Sequence, residues 1–304
     1  MSNKKNINPV VGSDLKFILP SYSCFAVSCK TFVIDVEMLK NKEEVYAIVA
    51  PSISAQFVYA TLGQVVSGIK ELGFTGVIEA ALGADLVAYY EAIELAEKGF
   101  LTTSCCPAFV NFIKKNFPNL EKHISHNLSP MAMIAKVIKE AHPNSKTVFI
   151  GPCTAKKAEA QKEEVKKYVD CVLTFEELIA LFGAQNLDIK TLEESPLEDA
   201  TLFGRSFARS GGVTEAVIQS LKEQNLAFDL NPITCDGIEN IRLVLAKASK
   251  GLIDNNFIEG MVCSGGCIGG PCALTHATKD RSLIDKHASK TSKKEILENI
   301  KKII

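Results

Sequence analysis

Three apolar, strand-like segments of this chain each run into a turn that carries cysteine: FLTTSCCP (100–107), TVFIGPCTAKK (147–157) and IEGMVCSGGCIGG (258–270). That recurrence restricts the fold more than any other property of the sequence. Core packing gives no reason to set cysteine beside proline and glycine just past a strand. An open α/β sheet does give one, because its sites lie beyond the carboxyl ends of its strands. Strand-like and helix-like stretches alternate around the three turns. VYAIVA (45–50) reads as a strand ending at Pro51, and AQFVYATLGQVVSGIKELGF (55–74) has helical periodicity. TGVIEA (75–80) is a second strand, and a helix from about Ala80 is closed by Gly99. A helix follows Pro107 to about Lys115, PMAMIAKVIKEAH (130–142) is helical, and another helix starts near Ala155. Thr174 and Glu177 form a capping box. The alternation predicts an α/β protein with at least partly parallel sheets.

Ten cysteines, Cys24, Cys29, Cys105, Cys106, Cys153, Cys171, Cys235, Cys263, Cys267 and Cys272, stand in a chain with no signal-peptide-like start. A cytoplasmic setting is expected, and there cysteines serve metal or redox chemistry rather than a disulfide framework. The five histidines form no HxxxH or HExxH pattern, which favours soft thiolate ligation over imidazole. The net charge of −1 supplies no field for nucleic acid or an anionic membrane. No run approaches the roughly 20 apolar residues of a membrane span.

Cys263 and Cys267 lie in a Cys-x3-Cys turn wrapped in Gly265, Gly266, Gly269 and Gly270, which let backbone approach a bulky inorganic group. A 4Fe-4S cubane takes four thiolates at varied spacing. This turn offers two, Cys153 a third, and one of Cys105 and Cys106 the fourth, so one thiol is left over. Isolated Cys171 and Cys235 read as small buried hydrophobes, and so do Cys24 and Cys29, since two thiols cannot hold a cubane. Lys156, three residues after Cys153, shares its helix face, where an ammonium offsets an anionic cluster. Lys157 is expected to face solvent. Glu159 either bonds back into the site or favours the first helical turn. The lysine-rich stretches KKNFPNLEKH and KKAEAQKEEVKK read as solvated charged faces.

Taken together, the three turns resemble the H-cluster signatures of the FeFe (di-iron) hydrogenases. TSCCP is matched by Thr103 to Pro107; PCxxKxxE by Pro152, Cys153, Lys156 and Glu159; ExMxCxxGCxGG by Glu259, Met261, Cys263, Gly266, Cys267, Gly269 and Gly270. VAPSI (49–53) is similar to the family's Ala-Pro-Ser loop. The resemblance implies two lobes with mixed or parallel sheets flanked by helices and the H-cluster in the cleft between them. Residues 1–44 would be a lead-in arm and 45–304 the catalytic domain. Cys106, Cys153, Cys263 and Cys267 would hold the 4Fe-4S cubane, Cys267 also bridging to a di-iron subcluster with CO, CN and azadithiolate ligands. Cys105 would be the thiol beside the bridging amine. Lys156 would hold one cyanide, and Ala50, Pro51 and Ser52 would line the other. Met261 would pack near the bridging carbonyl, and Glu91, Ser125 and Glu94 would continue the proton path. Glu91 and Glu94, three apart on a helix, share a face.

What the resemblance implies for function is reversible 2 H+ + 2 e− to H2, with electrons from ferredoxin or a similar carrier. A di-iron maturation machinery would load the site. An H2 sensor, or an iron–sulfur assembly protein holding only the cubane, are the rival readings. Four departures mark a divergent branch. Gly151 stands where catalytic members usually have methionine, Met131 where glutamine is common, Phe109 for tryptophan, and GGPCA, with Cys272, for GGGQP. No ferredoxin-like CxxCxxCxxxCP run precedes the domain, so electrons are expected to enter at the cubane directly.

Overall fold

A computed structural model of the chain describes Leu39 and residues 43–277 and 279–304. Cys24, Cys29 and nearly all of the lead-in arm lie outside the described residues. Seven strands form two sheets: β1 (Val45–Val49), β2 (Gly76–Glu79), β4 (Lys146–Gly151) and β5 (Cys171–Thr174) in the order β2-β1-β4-β5, and β3 (Leu101–Thr102), β7 (Phe257–Met261) and β6 (Pro232–Asp236) in the order β3-β7-β6. Every pairing between these strands is parallel, so the expected alternative of mixed sheets does not occur among them. Parallel strands need crossovers, and helices supply them on the sheet faces.

The helices begin and end where local chemistry dictates. Proline at 51 opens a 3-10 turn (Pro51–Ala55), and α1 (Leu62–Glu71) starts only after Thr61. There the Thr61 hydroxyl accepts from Gln64 N while the Gln64 side chain accepts from Thr61 N. The helix therefore starts later than the periodicity from residue 55 predicts, because proline first sets a 3-10 turn. Helix α2 (Ala80–Lys98) ends on Gly99 at φ 75°, a left-handed conformation that glycine adopts without strain. Next come α3 (Pro107–Asn116), α4 (Pro130–Ala141, capped by the Ser129 hydroxyl), α5 (Thr154–Ala160) and α6 (Phe175–Ala184). The Thr174–Glu177 capping box is present. Helices α7 (Gly212–Glu223) and α8 (Ile238–Ala248) flank the second sheet. Strand β6 escapes a reading of periodicity because it opens on proline, which a sheet accepts as the first residue of an edge strand.

The first sheet is buried by Val65, Ile69, Met131, Ile134, Phe175 and Leu178. Leu86, Leu95 and Val213 cover one side of the second sheet, and Phe109, Ile113, Ile241 and Leu245 the other. Leu82 on α2 and Val137 on α4 pack against both cores, so the two sheets are set against each other through these helices. Among the described residues, no helix is long and apolar enough to cross a membrane.

Candidate metal-cluster and proton-transfer site

The three cysteine turns are the loops that leave β3, β4 and β7. Cys106 and Cys153 occupy the N-cap positions of α3 and α5, with Pro107 as the first residue of α3. The third turn has Gly265 at φ 78° and Gly266 at φ 95°. A side chain at 266 would begin 2.8 Å from Ser210 N, and one at 270 would begin 2.6 Å from the Pro152 carbonyl oxygen. The loop is thus pressed between the 208–210 segment and the Pro152–Cys153 turn. Hydrogen bonds hold it there: Ser210 N to Gly265 O (3.0 Å), Ile268 N to Ala208 O (3.2 Å) and Cys272 N to Pro152 O (3.0 Å). Arg209 fixes the outer side through Glu215 and Asp285.

This packing makes one neighbourhood of four thiols from two sheets. Burial pushes Cys267 far up, and Cys106, Cys153 and Cys263 add to the push while Lys156 opposes it. Burial, Cys153 and Cys106 push Cys263 up to about 11. Yet among the described residues no three Cys, His, Asp or Glu side chains converge tightly enough for a single metal ion. Four thiols from separate turns that feel one another's charge suit a multi-iron cluster, whose iron charge would stabilise thiolates that burial alone disfavours. The donor set therefore fits a 4Fe-4S group. Cys105 is the fifth thiol. It is pushed well above its ordinary range by burial first, then by Glu91, Cys106 and Cys267.

Donors face the thiols from the first sheet. Lys156 is 8% exposed; its ammonium donates to Glu159 Oε2 at 2.7 Å and to the Cys105 carbonyl oxygen at 3.1 Å. Glu159 thus turns back into the site, settling its two expected alternatives. Ser52 is fully buried and its hydroxyl has no hydrogen-bond partner. An orphaned buried hydroxyl costs about 1–3 kcal/mol, so the site holds a donor in reserve. Pro51 has no N–H, and the Ala50 N–H is engaged by Ile150 O at 2.9 Å. Ser52 therefore remains the free side-chain donor of that loop. Met261 ends β7, buried. The ring of Phe109 lies on Gly260, where a Cβ would meet it at 2.2 Å, and a Cβ on Gly151 would meet the Phe149 ring at 2.6 Å. An aromatic ring thus takes the space that any side chain before Pro152 would need.

A line of polar groups leads away from Cys105. Glu91 is fully buried, and burial raises its carboxyl to about 8, with the Ser104 amide and the nearby Ser125 hydroxyl pulling it back. Ser104 N lies 3.4 Å from Glu91 Oε1, whereas Glu91 Oε2 has no hydrogen-bond partner. One helical turn on, Glu94 Oε2 accepts from Ser125 Oγ at 2.9 Å, and Lys98 pairs with Glu94 Oε1 at 2.6 Å. His126, highly exposed, stands at the surface end.

The structure thus brings Cys105, Cys106, Cys153, Cys263, Cys267, Lys156, Glu159 and Ser52 to one place and arrays Glu91, Ser125 and Glu94 behind it. Lys157 corrects an expectation: it does not face solvent freely but pairs with Glu177 at 2.6 Å. Cys171 and Cys235 are buried, as expected of small hydrophobes. Four positioning residues escaped the residue-by-residue reading. Ser104 and Asn127 bracket the polar line, and Arg209 clamps the glycine loop. Glu259, visible only as a motif letter, accepts from Gly211 N, Thr214 N and Thr214 Oγ1 and so pins the start of α7 to β7.

Comparison with known proteins places the chain. It is 29% identical over 303 residues to iron hydrogenase 1 of Clostridium pasteurianum, covering 81% of this chain and 53% of that protein. It is 30% identical over 167 residues to the cytosolic Fe-S cluster assembly factor NAR1 of Kluyveromyces lactis, covering 51% of this chain and 36% of that one. The chain therefore spans about half, or less, of the length of these relatives. The fold matches that of an FeFe-hydrogenase from Chlamydomonas reinhardtii with a TM-score of 0.72 at 20% identity, over 88% of this chain and 92% of that one. The profile described as "Iron only hydrogenase large subunit, C-terminal domain" covers residues 43–271, three-quarters of the chain and all three cysteine turns, so this protein belongs to the iron-only hydrogenase family.

Proposed function

We propose that the chain is a hydrogenase that interconverts 2 H+ + 2 e− and H2. Cys106, Cys153, Cys263 and Cys267 would hold a 4Fe-4S cluster, and Cys267 would join it to a di-iron group with CO, CN and dithiolate ligands. When bound, that group supplies heterolytic H2 chemistry. The protein's share is to hold it and move protons. Lys156, kept charged by Glu159, donates to one anionic ligand, and the unpartnered Ser52 hydroxyl to the other. Met261 and the Phe149 ring keep the walls apolar. Cys105 carries a proton to Glu91, and Ser125 and Glu94 carry it outward. Electrons would come from ferredoxin or a similar carrier.

One observation carries the reading: a fifth, half-buried thiol backed by a buried carboxyl and a line of polar groups leading to the surface. A 4Fe-4S cluster that only transfers electrons needs none of these. The assembly-factor reading is favoured by the 30% identity to NAR1 and is the live alternative. The two separate on loading the chain with a 4Fe-4S cluster and a synthetic di-iron precursor. The expected result is carbonyl and cyanide infrared bands and H2 evolution from a reduced mediator. An intact cubane signal with no such bands would overturn the proposal in favour of an assembly role. Bands with negligible turnover would point to a sensor.

A further inference from the structure

A serine hydroxyl has one proton to give and two lone pairs to receive with. At Ser125 all three are committed. Its proton goes to Glu94 Oε2 at 2.9 Å, and its lone pairs accept from Asn127 Nδ2 at 3.1 Å and Asn127 N at 3.3 Å. No lone pair is left to receive a proton from Glu91: the Ser125 hydroxyl is near enough to pull that carboxyl down, but its proton is bonded to Glu94 and Glu91 Oε2 has no partner. The relay between the two glutamates is complete in residues and interrupted in hydrogen bonds.

The interruption is made by one side chain. Asn127 Nδ2 bonds Glu94 Oε2 at 2.9 Å as well as Ser125. Because a carboxylate only accepts, the nitrogen end of the amide must face it, which fixes the side chain's orientation. The loop does not depend on that side chain: the Asn127 backbone carbonyl accepts from Ser104 Oγ at 2.8 Å. Asn127 is only half-buried, so its amide has room to swing away without moving the turn.

Building on the hydrogenase reading, we propose that the Asn127 carboxamide gates the proton route, holding Ser125 toward Glu94 and filling a lone pair that a proton from Glu91 requires. With the amide turned away, the Glu91 O–H donates to Ser125 Oγ. As that O–H bond breaks and a new one forms at Oγ, the original Ser125 proton passes to Glu94 Oε2. One proton has then moved outward and the hydroxyl is regenerated. Asn127 is a positioning residue; it never carries the proton.

The test uses the whole 304-residue chain in two forms. In the cluster-free protein at mildly acidic pH, the protonated Glu91 carbonyl stretch is identified by its absence in Glu91→Gln. In Asn127→Ala this band is expected at lower wavenumber, because the Glu91 O–H gains Ser125 as an acceptor. In Asn127→Leu, which keeps the shape but lacks the donors, the same shift is expected and guards against local collapse. In the loaded protein, turnover under proton-limited conditions should rise about fivefold, as expected from removing a net hydrogen bond from the closed arrangement. A band unmoved in both variants overturns the gate. So does a moved band with turnover unchanged or reduced. Failure of the hydrogenase reading itself is seen separately, as missing carbonyl and cyanide bands in the unsubstituted chain.

Discussion

The turns after the first sheet and the turns after the second meet at one site with opposite chemistry. Those after β3 and β7 bring Cys105, Cys106, Cys263 and Cys267, with buried Glu91 behind them. Those after β1 and β4 bring one thiol, Cys153, together with the Lys156 ammonium and the unpartnered Ser52 hydroxyl. On the hydrogenase reading, one wall would supply soft anionic ligands and proton acceptors, and the other hydrogen-bond donors. A cluster with anionic ligands of its own needs both. The division explains why two sheets are required: adjacent turns of one sheet could not face each other across a bulky group.

The sharpest way to break this division is within the cysteine pair. Cys106→Ala should abolish the 4Fe-4S signal in electron paramagnetic resonance. Cys105→Ala should keep that signal while H2 turnover falls about 100-fold or more, the usual scale for losing a proton-transfer group. Equal cluster loss in both variants would erase the distinction between ligand and proton carrier. On the donor wall, Lys156→Met leaves Glu159 buried and uncompensated, so the cluster-free chain should lose about 3–5 kcal/mol in urea unfolding. Adding Glu159→Leu should recover most of it, and failure to do so would mean that the ammonium matters for more than its pair.

The acceptor wall has a pH signature. Burial raises Glu91 to about 8 from 4.5, so between these values the folded chain keeps a proton that the unfolded chain has lost. Stability must then fall as pH rises through that window, by up to about 1.4 kcal/mol per unit for one group. Asp85, raised by burial to about 7, adds a slope of the same sign. Glu91→Gln should make the pH dependence of urea unfolding shallower; an unaltered slope would mean that Glu91 is ionised in the fold. The smallest effect is expected at Ser52. Ser52→Ala relieves an orphaned hydroxyl but leaves a small void where it packed, and the two effects offset, so cluster-free stability should stay within about 0.5 kcal/mol, yet the cyanide infrared bands of the loaded protein should move. Unmoved bands would take Ser52 out of the donor wall.

The cysteines that meet at the candidate site could be read from the chain because they lie at strand ends marked by proline and glycine, and strand ends are local features. The start of a helix is an equally local feature. Thr61 and Gln64 are a capping box in plain sequence, and they place the start of α1. Elsewhere no local signal exists. Asn127 reaches Glu94 across 33 positions and Ser104 across 23, so its side chain's role depends on how the 125–128 loop lies over α2. Gly151 reads only as a departure until the Phe149 ring is seen covering it. Lys157 reads as a surface charge until α6 brings Glu177 to it.

By itself the sequence determined the α/β alternation, the three cysteine turns, the helix caps and the left-handed glycine turn, because each follows from dihedral preference or hydrogen bonding within a few residues. Only the tertiary structure decided that the turns come from two parallel sheets, that Cys105 borders Glu91, that Ser52 is left unpartnered and that Asn127 bonds both Ser125 and Glu94. Those outcomes depend on which surfaces pack together and which buried polar groups find partners, and no stretch of chain shorter than the fold carries that information.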